Sequence, residues 1–259
     1  MRQRLAPAWG PVLLAGLAVA GCEGYAGPAV HEKSVESRAL EAEGTFRLEN
    51  VNGAVEITTW KEAKVRIEAE KAGSPAFVEK ATIVIEGEGD EVSVETRHPK
   101  GWSSGFFGGG GHVTYRVTVP ERARLDVRTT NGRVRVVEPS GPVRASTTNG
   151  SLEVDRAAGT VEATTTNGAV DVAFRSSPSS GLSRIATTNG SVTLSLPAGA
   201  TGEFEAGTVN GGIQTDFPLE VSGGFGGRRL SGKLGEGKAR FELRTVNGRV
   251  RIRRSSSEG

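Results

Sequence analysis

The sequence predicts an all-β protein, built as a single-domain parallel β-solenoid, or β-helix. The first observation is a repeated Asn-Gly dipeptide within 259 residues. From Asn131 to Asn210 the steps between successive copies are 18, 18, 22 and 21 residues, which predicts coils of about 18–22 residues. The copies begin at Asn52, Asn131, Asn149, Asn167, Asn189, Asn210 and Asn247.

The second observation is a period-two alternation of apolar residues on both sides of each Asn-Gly. Six and four residues before the Asn stand pairs such as Leu125 and Val127, and three and five residues after it stand pairs such as Val134 and Val136. This spacing indicates half-buried strands that share one core face. With 37 Gly and 5% aromatic residues, the composition favours strands and turns, so we expect almost no helix.

The third observation is a column of charges five residues before the Asn, whose sign alternates at each step: Asp126, Arg144, Glu162, Arg184 and Glu205. If successive coils stack in register about 4.8 Å apart, each charge lies between two opposite ones. An antiparallel meander would not make these residues sequential neighbours. The alternation therefore favours a solenoid, with an antiparallel β-sandwich or barrel as the alternative.

The Asn-Gly turn is predicted to form a corner within each coil, where Gly supplies the turn and Asn caps backbone groups. The corner asparagines are expected to bond along the axis as a ladder: Asn131, Asn149, Asn167, Asn189 and Asn210. Two residues before the Asn, Thr recurs, and we expect the stacked side chains to bond across neighbouring strands: Thr129, Thr147, Thr165, Thr187, Thr208 and Thr245.

The amino-terminal segment has the build of a secretory signal, with Arg2 and Arg4 before the apolar run "VLLAGLAVAG". The following "LAVAGC" resembles the bacterial lipoprotein signal, with Val19, Ala20 and Gly21 before Cys22. That resemblance implies cleavage after Gly21 and acylation of Cys22. The alternative is an ordinary signal that leaves Cys22 as a free thiol.

These features predict four segments: a signal peptide at 1–21, a lipidated tether at 22–44, a solenoid domain at 45–254 whose first part is less regular, and a tail at 255–259. Lipid attachment would hold the protein on a membrane without a membrane-spanning helix. By the resemblance to sorted lipoproteins, Glu23 after the cysteine favours the outer membrane.

Charge and cysteine content narrow the function classes. The full chain has 32 basic and 30 acidic side chains, and loss of Arg2 and Arg4 with the signal would leave 30 of each. This balance argues against nucleic-acid binding. A single cysteine excludes an internal disulfide and a thiolate zinc site, and His31, His98 and His112 lack ligand spacing. We therefore expect no cofactor and no metal.

With these residues in view, the chain resembles the bacterial putative-adhesin family, exported domains of unknown function with "T-x-N-G-x-V-x-V" coils. The matching pieces are "YRVTVPERARLDVRTTNGRVRVV", the copies at Asn149, Asn167 and Asn189, and the closing "GKLGEGKARFELRTVNGRVRI". The resemblance covers about Thr45 to Arg253 and implies a β-helical fold with no agreed catalytic residues.

Two places are candidates for function. The glycine-rich stretch between Thr96 and Val113 carries Trp102, Phe106 and Phe107, which suit either contact with a glycan, a partner or the bilayer surface, or cover for a solenoid edge. Four residues after their asparagines, Glu153 and Asp171 become neighbours if the coils stack. Paired carboxylates serve acid–base chemistry or Ca²⁺ binding, or form a solvated edge beside Arg135.

The sequence thus predicts a lipid-anchored cell-envelope protein with a non-catalytic, adhesin-like binding or structural role. The expected partners are the membrane, through the lipid, and a glycan or an envelope protein. The alternative is a carbohydrate-active lyase or hydrolase that uses Glu153 and Asp171 on a polysaccharide.

Overall fold

The computed structural model describes residues 29–98, 110–224 and 227–255. These residues form twenty strands and one short helix. In chain order the elements are β1 Val30–Glu49, β2 Val55–Trp60, β3 Lys64–Gly73, α1 Pro75–Lys80, β4 Thr82–Glu86, β5 Gly89–Arg97, β6 Gly111–Pro120, β7 Arg124–Arg128, β8 Val134–Val137, β9 Val143–Asn149, β10 Leu152–Ala157, β11 Val161–Asn167, β12 Val170–Phe174, β13 Ser180–Asn189, β14 Val192–Leu196, β15 Gly202–Asn210, β16 Ile213–Thr215, β17 Glu220–Gly224, β18 Gly227–Leu234, β19 Lys238–Asn247 and β20 Val250–Arg254.

The strands form two faces of a stacked solenoid, which confirms the predicted fold class. Sheet 1 holds the strand that precedes each Asn-Gly, and sheet 2 holds the strand that follows it. In sheet 1 the parallel order is β5, the second half of β1, then β7, β9, β11, β13, β19 and β15. In sheet 2 it is β6, β2, β8, β10, β12, β14, β20 and β16.

The core lies between the two sheets and follows the predicted alternation. Leu125, Val127, Val134 and Val136 are almost fully buried, and the same positions are buried in the other coils. Towards the last coils phenylalanines fill the core. The Phe241 ring centroid lies 4.8 Å from that of Phe204 and 5.6 Å from that of Phe174.

The amino-terminal end of the solenoid is closed by antiparallel strands, as the prediction of a less regular first part requires. β3 lies between β1 and β6, and β4 pairs with β5. The helix α1 begins after Ser74, whose side chain accepts a hydrogen bond from the Phe77 N–H. Tyr115 shares a 2.6 Å hydrogen bond with Thr96, and burial raises the pKa of Tyr115 to about 12.

The predicted tether at 22–44 is wrong for its second half, because β1 begins at Val30. Residues 30–39 form the outermost strand of sheet 2 and pair only with β3 through main-chain bonds. None of these ten residues is buried, so this part of β1 carries no apolar alternation. A strand that is solvated on both faces leaves no periodic signal in a sequence.

The carboxy-terminal end departs from chain order. β19 lies between β13 and β15, and β20 lies between β14 and β16. The Asn247 coil is therefore inserted between the Asn189 and Asn210 coils. The hairpin β17–β18 occupies the far edge of β15 in antiparallel pairing, which makes the Asn210 coil the last of the parallel stack.

Candidate functional site

The Asn-Gly corner is the first predicted site, and its asparagines form a continuous amide ladder. Each side-chain Nδ2 donates to the Oδ1 of the asparagine on the preceding coil, at 2.7 to 2.9 Å. The order along the axis is Asn52, Asn131, Asn149, Asn167, Asn189, Asn247 and Asn210. The ladder is confirmed, but the predicted contact between Asn189 and Asn210 is wrong because Asn247 lies between them.

The glycine of each corner permits the backbones to stack this closely. The Gly150 N–H donates to the Asn167 carbonyl at 2.9 Å. A Cβ on Gly150 would lie 2.0 Å from the Gly132 carbonyl oxygen, closer than any real side chain approaches. The same contact recurs along the stack, so a side chain at this position is incompatible with the corner.

The corner threonines bond differently from the prediction. Rather than pairing with one another, the threonines after Thr129 donate to the glycine carbonyl of the neighbouring coil, whereas the buried Thr129 Oγ1 has no hydrogen-bond partner in the described part of the chain. Thr165 Oγ1 donates to Gly150 O at 3.0 Å, and Thr187 Oγ1 donates to Gly168 O at 2.9 Å. In the first coil Asn50 replaces Thr, and its Nδ2 donates to the Val113 carbonyl at 2.9 Å. The Thr, the Asn and the Gly of the "T-x-N-G" motif therefore all take part in contacts between neighbouring coils.

The charge column on the outer face of sheet 1 is also present, with one correction. Ion pairs join Arg47 to Asp126 at 3.8 Å and Arg144 to Glu162 at 3.2 Å. Arg184 was predicted to neighbour Glu205, but it pairs with Glu242 at 3.1 Å. Glu205 comes next, in register with Glu242. The alternation of sign therefore ends at the inserted coil, where two carboxylates are adjacent.

Glu153 and Asp171 are in register on β10 and β12, as predicted. On its other side Glu153 is in register with Arg135, whose Nε lies 3.4 Å from Glu153 Oε1. Beyond Asp171 lies Thr193. The pair is thus one step in a mixed polar column that also contains a cation, and its carboxylates lie on the outer face of sheet 2.

Other titratable groups lie mainly at the amino-terminal end. A hydrogen bond from His31 and the nearby Lys33 hold the pKa of Glu70 below its usual range. Burial lowers the pKa of His98. Among the residues whose structure is described, no three His, Cys, Asp or Glu side chains come together as a metal site requires.

Several predicted residues lie outside the described part of the chain. These are the signal motif Val19, Ala20 and Gly21, the attachment residue Cys22, and the aromatic residues Trp102, Phe106 and Phe107. Their roles stay predictions. Within the described ranges, no helix is long and apolar enough to cross a membrane.

Residues 140–253 match the model of the family described as Toastrack DUF4097. A putative cell adhesion protein from Clostridium sporogenes is 15% identical, with a TM-score of 0.45 over 86% of this chain and 100% of its own. A putative adhesin from Bacteroides fragilis is 10% identical, with a TM-score of 0.31 over 85% and 96% of the two chains. No curated protein matches the chain in sequence.

Proposed function

We propose that the chain, whose residues 140–253 match the Toastrack DUF4097 family model, is a lipid-anchored protein of the bacterial cell envelope. Its solenoid serves as a non-catalytic surface for binding, or as a structural support, at that envelope.

The use of the repeated polar residues carries the non-catalytic part of the proposal. The corner amides and hydroxyls bond to neighbouring coils, as in the pairs Asn167–Asn149 and Thr165–Gly150. The outward carboxylates Glu153, Glu162 and Glu242 are held by arginines of neighbouring coils. Side chains that are committed to stacking are not free to act as nucleophiles or proton carriers.

The anchor rests on Cys22 in "LAVAGC" and on its distance from the folded part. Only seven residues separate Cys22 from Val30, where β1 begins. Seven extended residues span at most about 25 Å. A lipid on Cys22 would therefore keep the amino-terminal end of the solenoid close to the bilayer surface, with the Asn210 coil at the opposite end.

The anchor is tested by labelling cells with radioactive palmitate while they express the full chain or Cys22→Ser. We expect the label and the membrane association of the wild type to be lost in Cys22→Ser, because this is the only cysteine. Tyr25→Phe is the matched control, since it changes a nearby residue and keeps the thiol. Equal membrane association of Cys22→Ser would refute the anchor.

The register of Glu153 with Asp171 supports a second candidate, a carbohydrate-active lyase or hydrolase. This candidate is tested by incubating the purified chain with neutral and acidic polysaccharides and measuring new chain ends. We expect no cleavage. Cleavage that disappears in the double variant Glu153→Gln, Asp171→Asn but persists in Thr193→Ala would replace the binding role with an enzymatic one.

A further inference from the structure

A hollow of about 440 Å³ opens on the outer face of sheet 1 at the far end of the stack. It lies where β15 runs between β19 and β18. Residues from all three strands line it, among them Glu205, Gly207, Arg229, Ser231 and Arg244. Its volume falls in the range of about 300–1,000 Å³ that is typical of small-molecule sites.

The hollow exists because Gly207 has no side chain. In the other coils the same outward position holds Glu49, Arg128, Ser146, Thr164, Ala186 and Arg244. No close stacking accounts for this glycine. A Cβ on Gly207 would have no neighbour nearer than the Arg228 carbonyl oxygen at 4.0 Å, in contrast to the crowded corner glycines.

Two arginines flank this gap, because Gly207 is in register with Arg244 on β19 and with Arg229 on β18. Both are exposed, and their Cα atoms are about 10 Å apart across two strand spacings. Among the described residues neither guanidinium has an ion pair or a side-chain hydrogen bond. The arginines of the charge column, by contrast, have acidic partners on neighbouring coils.

The next row of the same face carries acceptors. Glu205 is in register with Ser231 on one side and with Glu242 on the other. Glu242 is occupied by Arg184 at 3.1 Å, whereas Glu205 has no ion pair within the described ranges. The hollow thus offers the guanidinium groups of two arginines beside the carboxylate of Glu205 and the hydroxyl of Ser231.

We propose that this hollow binds an acidic sugar of a surface polysaccharide, an inference that rests on the proposed envelope location. Arg229 and Arg244 bind the anionic group, since guanidinium forks bind carboxylate and phosphate oxygens through charge-assisted bonds. Glu205 and Ser231 accept hydrogen bonds from the ring hydroxyls. A neutral sugar would leave both guanidinium groups without a partner.

The position of the hollow favours a glycan over a lipid headgroup. In sheet 2 the first half of β1 and the strand β16 are the two outermost strands, nine strand spacings apart. At about 4.8 Å per spacing, the Asn210 coil lies about 40 Å from the end that carries the anchor. The hollow would therefore face away from the membrane that holds the protein.

The test is isothermal titration of the full chain, purified in detergent, with trigalacturonate, a sugar phosphate and neutral maltotriose. We expect the acidic sugars to bind at least tenfold more tightly than maltotriose. Two variants probe the hollow: Arg229→Gln with Arg244→Gln, and Gly207→Val, which fills the gap without a backbone clash. Each should weaken acidic-sugar binding at least tenfold. Arg251→Gln, which removes an arginine from sheet 2, is the matched control and should bind like the wild type.

Equal binding of neutral and acidic sugars, or full binding by Gly207→Val with an unchanged circular dichroism spectrum, would overturn the proposal. So would equal binding of an oligothymidylate or of anionic lipid vesicles with the same loss in the variants. The comparison of uronate with sugar phosphate identifies which anionic group is preferred. Palmitate labelling of Cys22 is a separate readout, so failure of the hollow leaves the proposed anchor standing, and failure of the anchor leaves the titration interpretable.

Discussion

The Asn-Gly corner and the outer face of sheet 1 belong to the same coils but follow different rules. At the corner the same residue types recur, because each coil must fit the backbone of the next. The Asn bonds to the Asn of the neighbouring coil, and the Gly leaves room for a carbonyl oxygen of that coil. On the outer face, five residues before each Asn, the residue type varies and the sign of the charge alternates as far as Glu242. Three residues before it the side chains range from Arg244 to Gly207.

This difference indicates where stability and recognition reside. Backbone stacking tolerates no change at the corner, since an added atom there meets a neighbouring main chain. The outer face carries no such constraint, so single coils can differ there without disturbing the stack. The exposed arginine-flanked hollow at Gly207 is a consequence of that freedom.

The largest expected effect is that of a methyl group at the corner. Gly150→Ala places a Cβ 2.0 Å from the Gly132 carbonyl oxygen, so two coils must separate. We expect the free energy of unfolding to fall by about 3 kcal/mol or more, as for other severe steric changes. Chemical denaturation measures the fall.

The control for that substitution is Gly212→Ala in the last coil, where an added Cβ meets nothing within 4 Å. It should change the stability by less than about 0.5 kcal/mol, as is usual for surface sites. Similar losses in the two variants would show that glycine is not required by the stacking of the corner.

The next largest effect should come from the amide ladder. Asn167→Ala removes two side-chain hydrogen bonds, to Asn149 and from Asn189. At about 0.5–1.5 kcal/mol for each bond, we expect a loss of about 2 kcal/mol. Asn210→Ala, at the end of the ladder, removes only the bond to Asn247 and should cost about half as much. Equal losses by thermal or chemical unfolding would contradict a continuous ladder.

The corner threonine should contribute less. Thr165→Val keeps the shape of a side chain that is 7% exposed and removes one hydrogen bond, at 3.0 Å, to the Gly150 carbonyl. We expect a loss of about 1 kcal/mol. Thr164→Val, one residue earlier and directed outward, is the control for the valine itself. A larger loss in Thr164→Val than in Thr165→Val would mean that the hydroxyl does not serve the stack.

The corner and the length of the coils could be predicted from the sequence because each role repeats with the coil. The Asn of one coil meets the Asn of the next, so the same letters recur at a fixed spacing. The strand Val30–Ala39 could not be predicted, since it is solvated on both faces and shows no alternation. Its pairing with β3 is made by the main chain, which all residues share.

The order of the last coils could not be predicted either, because the pattern fits two arrangements. Glu205 and Glu242 stand at equivalent positions, and either can follow Arg184 in an alternating column. Asn210 and Asn247 are equally interchangeable in the ladder. The hollow could not be predicted either, because Arg229 comes beside Gly207 only through the antiparallel pairing of β18 with β15. The sequence signal for the hollow is Gly207, a glycine at a position where the other coils carry a side chain.

The smallest expected effect tests this order directly on the outer face. Arg184 lies beside Glu242, whose side chain is 16% exposed, and two strand spacings from Glu205. A double-mutant cycle with Arg184→Ala and Glu242→Ala should give a coupling of about 0.5–1 kcal/mol, the range for a partly exposed pair. The cycle with Glu205→Ala should give a coupling near zero, because β19 separates the two strands. A stronger coupling to Glu205 would place the coils in chain order and move Arg244 away from Gly207 and Arg229.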